Sequence, residues 1–178
     1  ICAHSPIEIE VFGHGAQCMC YSGQCFFSSV IGTRSGNRGR CAQPCRLSYG
    51  WGERADKALL SLKDMSLAGH LRELEELGVA CLKIEGRMKR PEYVAVVTGI
   101  YARAIREGRE PTAEEVEQLR SAFSRDGFTD GYFLGQTGPE MFGTRQDEAE
   151  PRELFTQARA TYESGENRKE PVRMYAML

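Results

Sequence analysis

The sequence predicts an α/β fold, built on a parallel sheet or a (β/α) barrel. Three observations carry that expectation. An alternating strand stands near the N-terminus, an apolar strand follows a leucine-rich helical stretch, and a long amphipathic helix comes next. From residue 7 the order is therefore strand, long loop, helix, strand, helix.

Residues 7–12 alternate Ile7, Ile9 and Val11 with Glu8, Glu10 and Phe12, the two-residue period of a strand. Gly13 and Gly15 are expected to end it. Residues 17–50 hold glycine, serine, arginine and cysteine without helical period and read as a long functional loop. A loop of that length needs a tether, which a bound metal would supply. Leu67, Leu71, Leu74 and Leu77 recur at helical spacing and predict a helix over 66–77, with Gly78 just past its end. Residues 79–84 read as a buried strand, and Glu85, Gly86 and Arg87 as the turn after it. Pro91 suits the first turn of a helix over 91–107, with Val94, Val97, Tyr101 and Ile105 as its apolar stripe. Pro111 and Thr112 open another helix, with Val116, Leu119 and Phe123 on one face. Glycines at 127, 131, 135, 138 and 143 mark a less regular region, and Arg159 to Leu178 is expected to begin a small β-rich one.

A hydrophobic content of 41% and a charged content of 27% are those of an ordinary globular protein. No run of eighteen apolar residues is present, so no membrane-spanning helix is expected. The chain starts at Ile1, shows no signal peptide, and reads as a segment of a longer cytoplasmic protein. The net charge of −2 hides an asymmetry. No acidic residue lies between Glu10 and Glu53, whereas Arg34, Arg38, Arg40 and Arg46 do. Such a patch suits a phosphate or carboxylate ligand, or simply solvates a loop.

Of seven cysteines, five fall between residues 18 and 45. An odd count in a tight group argues for metal over a disulfide framework. Six residues separate Cys18 from Cys25, fifteen separate Cys25 from Cys41, and three separate Cys41 from Cys45. Thiolates are soft ligands that suit iron–sulfur clusters or zinc, and buried structural thiols are the third reading. Structural zinc favours two close pairs, and only Cys41 and Cys45 form one. The wide first spacing suits a cluster better.

The segment from Glu10 and Phe12 through Gly15, Ala16, Cys18, Gly23 and Cys25 to Ser28 resembles the signature of peptidase family U32. Gln17 and Phe27 depart from it, standing where that family usually has aliphatic residues. Residues 39–46 resemble the family's second cysteine motif, 82–89 its barrel-ending strand and turn, and 128–132 the segment just beyond. The resemblance runs from about residue 7 to residue 143 and implies the C-terminal part of a TIM-type barrel. Residues 1–123 would end the barrel and carry the Cys-rich loop 17–50. Residues 124–178 would form a post-barrel linker and start a C-terminal region. Some members are described as collagenases or proteases. Others are oxygen-independent hydroxylases with a [4Fe–4S] cluster on four cysteines, acting on tRNA or ribosomal RNA, with prephenate, or on ubiquinone precursors. The ligand set expected here is Cys18, Cys25, Cys41 and Cys45, with Cys81 or Cys20 as substitutes for Cys45. In some hydroxylases the fourth cysteine lies on the helix after the turn, at the position of Val94.

Glu10 and Glu85 are expected near strand ends, where a parallel barrel keeps its active site. His14 is a candidate for positioning substrate or moving a proton. Glu85 and Arg87 are candidates for a salt bridge, or Arg87 for gripping a carboxylate. The only histidines are His4, His14 and His70, and no zinc-protease or serine-hydrolase motif is present. The leading expectation is an iron–sulfur enzyme hydroxylating RNA or a small aromatic acceptor. The alternatives are a collagenase-like peptidase, with zinc and a peptide substrate, and a non-catalytic metal-stabilised binding module.

Overall fold

The computed structural model describes residues 1–52, 54–144 and 149–163, with backbone alone at 51 and 54–57. In chain order the elements are β1 (Glu10–Ala16), α1 (Phe27–Gly32), β2 (Tyr49–Trp51), β3 (Arg54–Lys57), β4 (Asp64–Ser66) and α2 (Leu71–Glu76). Then follow β5 (Cys81–Glu85), α3 (Pro91–Glu107), α4 (Ala113–Ala122), β6 (Phe128–Thr129), α5 (Gly131–Leu134) and α6 (Arg152–Glu163).

The first strand is displaced from its expected span and runs through both glycines instead of stopping at them. Gly15 belongs inside the strand because β1 lies parallel to β5 with Gly15 opposite Glu85. A Cβ on Gly15 would sit 2.6 Å from the Glu85 carbonyl oxygen, and its φ of +120° is one that only glycine adopts easily. A register shift between Phe12 and His14 turns His14 toward the buried side.

The sheet order is β5-β1-β4-β6. The expected parallel sheet is in fact mixed, since β4 runs antiparallel to β1 while β6 is parallel to β4. The reason lies in the connection. From β1 to β4 the chain returns through the cysteine segment and the β2–β3 hairpin, with no crossover helix of the length a parallel return uses. From β4 to β5 it passes through α2.

The segment 17–50 is more structured than a bare loop. It contains α1 and two short 3-10 turns at Gly36–Arg38 and Pro44–Arg46. The helix expected over 66–77 is shorter, because Ser66 belongs to β4 and Ala68–His70 forms a 3-10 turn. Leu67 is held there by donating its N–H to the Gly13 carbonyl at 2.9 Å. The helix over 91–107 spans its predicted length, with Pro91 in its first turn and Gly108 at its end. Its buried stripe is Tyr93, Val96, Val97, Ile100, Tyr101 and Ala104, rotated from the predicted one, and Val94 and Ile105 face outward. Thr112 caps α4, its hydroxyl accepting from the Glu115 N–H while the Glu115 carboxylate accepts from the Thr112 N–H.

The core forms where α3 meets Ala68 and Leu71 on one side, and Leu119, Ala122, Phe155 and Ala158 of α4 and α6 on the other. Full burial of side chains such as Val97, Ile100 and Leu119 contributes about 1.5–3 kcal/mol each. The stretch from Arg159 starts helical as the end of α6, so the β-rich beginning is not there. Residues 164–178, the rest of that expectation, lie outside the described residues. Among the described residues no helix is long and apolar enough to cross a membrane.

Candidate metal and substrate site

Parallel pairing aims the C-terminal ends of β1 and β5 the same way. The cysteine segment leaves β1 there, and the turn into α3 leaves β5 there. Between them opens a cavity of about 1390 Å³.

Cys18, Cys25, Cys41 and Cys45 all line this cavity, and all are reduced. Cys18 and Cys41 are exposed, while Cys25 and Cys45 are half-buried. Burial pushes the Cys45 thiol up, Arg46 beside it pulls it down, and the thiols of Cys18, Cys41 and Cys25 push it up again. Cys45 is thus within electrostatic reach of the other three. The Cys41 sulfur accepts from the Gln43 backbone N–H at 3.3 Å and from the Ser28 hydroxyl at 3.8 Å. Ser28 is itself buried and accepts from the Ala42 N–H at 3.0 Å, which ties α1 to the second cysteine motif. Among the described residues no three His, Cys, Asp or Glu side chains are gathered tightly enough to hold a metal ion.

The two substitute ligands separate. Cys20 lies on the cavity, but Cys81 does not. Cys81 begins β5 opposite Glu10, and its thiol donates to the Glu10 carboxylate at 3.4 Å. That carboxylate raises the Cys81 pKa. Glu10 also pairs with Lys83 at 3.5 Å. Since β1 begins at Glu10, this carboxylate sits at the far end of the strand from the site, contrary to expectation.

His14 is fully buried among Tyr93, Tyr101 and Phe128, with ring centroids 6.3, 5.5 and 5.0 Å away. Its Nδ1 lies 3.1 Å from the Tyr101 hydroxyl, which donates to the Gly13 carbonyl at 3.0 Å. With the phenol proton on Gly13, Nδ1–H donates to Tyr101, and Nε2 keeps a bare lone pair with no partner among the described residues. Burial, helped by nearby Lys89, lowers the His14 pKa to about 4. At neutral pH it is an uncharged acceptor in the cavity wall. Gln17 is its neighbour in behaviour, 9% exposed, with neither amide atom partnered among the described residues.

Glu85 and Arg87 both line the cavity, but no ion pair joins their side chains. The Glu85 carboxylate instead accepts from the Arg87 backbone N–H at 3.0 Å and shapes the turn. This leaves the exposed Arg87 guanidinium without a carboxylate partner among the described residues. Arg34 is likewise exposed and lines the cavity. The other predicted arginines divide. Arg38 and Arg40 are exposed and off the cavity, and Arg46 turns inward. Sequence reasoning missed Ser28 and Arg125. The first stood in plain sight at the end of the cysteine motif. The second, 7% exposed and bonded to buried Asp64 at 2.6 Å, carries no local pattern that would mark it.

The model of peptidase family U32 matches residues 1–143. The chain belongs to peptidase family U32. Among U32 relatives, a collagenase of Porphyromonas gingivalis is 39% identical over 143 residues, which is 74% of this chain and 39% of that protein. The tRNA hydroxylation protein P1 of Bacillus subtilis is 38% identical over 157 residues, 77% of this chain and 37% of that protein. The 23S rRNA 5-hydroxycytidine C2501 synthase of Escherichia coli is 41% identical over 135 residues, 72% of this chain and 20% of that protein. The chain thus spans less than two fifths of the length of these U32 relatives. No solved structure matches it.

Proposed function

We propose that this chain carries the cofactor-binding and substrate-facing part of a U32 iron–sulfur enzyme that hydroxylates RNA without oxygen. Cys18, Cys25, Cys41 and Cys45 would hold a [4Fe–4S] cluster. The observation that carries the reading is the gathering of these four reduced thiols on one cavity, where Cys45 feels the other three. The donor set fits such a group. The Gln43 N–H already aims at the Cys41 sulfur, and hydrogen bonds to sulfur tune cluster potentials. A single zinc ion needs its thiolates within about 2.3 Å of one point. The chain spacing of the four cysteines, with only Cys41 and Cys45 a close pair, suits a cluster better than a zinc knuckle.

Bound, the cluster would supply one-electron transfer at the cavity. Arg34 and Arg87, which line the cavity, would hold phosphates, and His14 and Gln17 would offer hydrogen bonds from its lining. Relatives named for tRNA and rRNA hydroxylation favour RNA as the substrate. The β5–β1 pair with α3 behind it is read as part of a (β/α) barrel. Peptidase chemistry finds less support, because His14 and His70 bond to Tyr101, Glu73 and Asp130 and to no serine or cysteine among the described residues.

The test uses full-length protein purified without oxygen. About four irons and four sulfides per chain are expected, together with hydroxylated nucleosides in RNA from cells that hold the protein and not from cells that lack it. Cys18→Ser and Cys25→Ser should lose the iron. Colourless, iron-free protein that cleaves gelatin would overturn the proposal.

A further inference from the structure

Arg46 looks from the sequence like one more surface arginine, yet its head group is spent inside the protein. Nη1 donates to the Leu62 carbonyl at 2.5 Å and to the Ser61 hydroxyl at 3.3 Å. Nη2 donates to the Gln17 carbonyl at 2.5 Å. Gln17 immediately precedes Cys18, and Arg46 immediately follows Cys45. One guanidinium therefore pins both ends of the cysteine segment to the chain that leads into β4. A planar fork with five donors can reach three acceptors in this way, and an ammonium cannot.

The charges around it do not balance. Arg46 interacts with Arg125, Asp64, Cys45 and Cys18. Arg125 and Asp64 form a buried pair at 2.6 Å, so the Arg46 charge is left over. Arg46 is half-buried at the cavity, and a partly desolvated charge gains from a counter-charge beside it. Once they hold a metal, the thiolates of Cys45 and Cys18, which flank Gln17 and Arg46 in the chain, would offset that charge.

We propose that Arg46 is a positioning residue with two roles, a latch for the cysteine segment and the half-buried counter-charge of the group that its thiolates would hold. The second role rests on the reading of the four cysteines as cluster ligands; the first does not. As a latch, Arg46 fixes where Cys18 and Cys45 stand before any metal arrives. As a counter-charge, it stabilises the more negative, reduced state of the bound centre.

The experiment compares full-length wild type with Arg46→Met, Arg46→Lys and the exposed control Arg40→Met. In metal-free protein, hydrogen exchange at the Ala42, Leu47 and Lys63 amides is read against α3. Arg46→Met should speed exchange at these three by about tenfold or more, the scale of losing charged hydrogen bonds, with α3 and the control unchanged. Unchanged exchange would overturn the latch. In reconstituted protein the midpoint potential of Arg46→Met should fall, a tenfold change in the reduced-to-oxidised ratio being 59 mV for one electron. Arg46→Lys should keep the wild-type potential while restoring only part of the exchange protection. If Arg46→Met loses α3 protection as well, Arg46→Lys against wild type decides the latch. A potential unmoved in Arg46→Met would overturn the counter-charge. Wild type that takes up no iron would sink the cluster reading and the counter-charge with it, and the exchange comparison alone would then judge the latch.

Discussion

Gly15→Ala is the smallest change with a large expected effect. Gly15 meets two separate penalties on gaining a Cβ, and the structure allows them to be told apart. Its φ of +120° lies outside the ordinary left-handed region, a strain of about 1–3 kcal/mol for an L side chain. The new carbon would also sit 2.6 Å from the Glu85 carbonyl oxygen and 2.9 Å from the Glu85 Cβ. Backbone cannot swing aside as a side-chain tip can, so β1 and β5 must part, at about 1–3 kcal/mol for overpacking. Together these make about 2–6 kcal/mol, or a fall in melting temperature of roughly 4–24 °C at 2–4 °C per kcal/mol. Gly23, with φ of +78° and nothing within 4 Å of its Cβ position, carries a positive-φ penalty and no clash. The assay is thermal unfolding of metal-free full-length protein carrying Gly15→Ala or Gly23→Ala. Equal losses in the two variants would refute the close β1–β5 approach, and with it the placement of Glu85 beside the start of the cysteine segment.

Two further outcomes are expected. Cys81→Ser should retain as much iron as wild type, whereas Cys45→Ser should not, because Cys81 sits beside Glu10 at the far end of β5; equal iron loss in both would put Cys81 in the ligand set. His70 bonds to Asp130 at 2.8 Å, and this bond first, then Glu73, raises its pKa above 6.5. A raised histidine stabilises the fold fully below its unfolded value near 6.5 and stops doing so as pH climbs through its higher folded value. Melting temperature should therefore drop between neutral and mildly alkaline pH, and Asp130→Asn should remove that slope; a slope that survives the substitution assigns it to another group.

Legibility followed the length of the pattern. The seventeen residues of α3 repeat their period often enough to fix both ends, and Pro91 and Gly108 mark them. The face was misjudged because Tyr93 and Ala104, both buried, were not counted as core while Val94 and Ile105 were. The three residues of β4 offer no period at all, and its antiparallel direction is set by the returning chain. Glycine misled at β1, since Gly15 reads as a stop signal and serves as a contact point with Glu85. In the site, the cysteines were legible because thiols cluster in sequence before they cluster in space. Arg46 and Arg125 were not, because an arginine that turns inward is spelled like one that faces water.

The pairing of β1 with partners far along the chain has a consequence for the protein's own synthesis. Ala16 meets Asp64 and Glu10 meets Cys81, so β1 leaves the ribosome about fifty residues before its first partner. At roughly 5–20 residues per second, that is an interval on the order of 2–10 s. The thiols between Cys18 and Cys45 emerge during it on a nascent chain with no sheet to hold them apart. An oxidant acting during those seconds would couple neighbouring cysteines before the fold has spaced them. Expression under air should accumulate chains cross-linked within residues 18–45, and slower translation should make the damage worse.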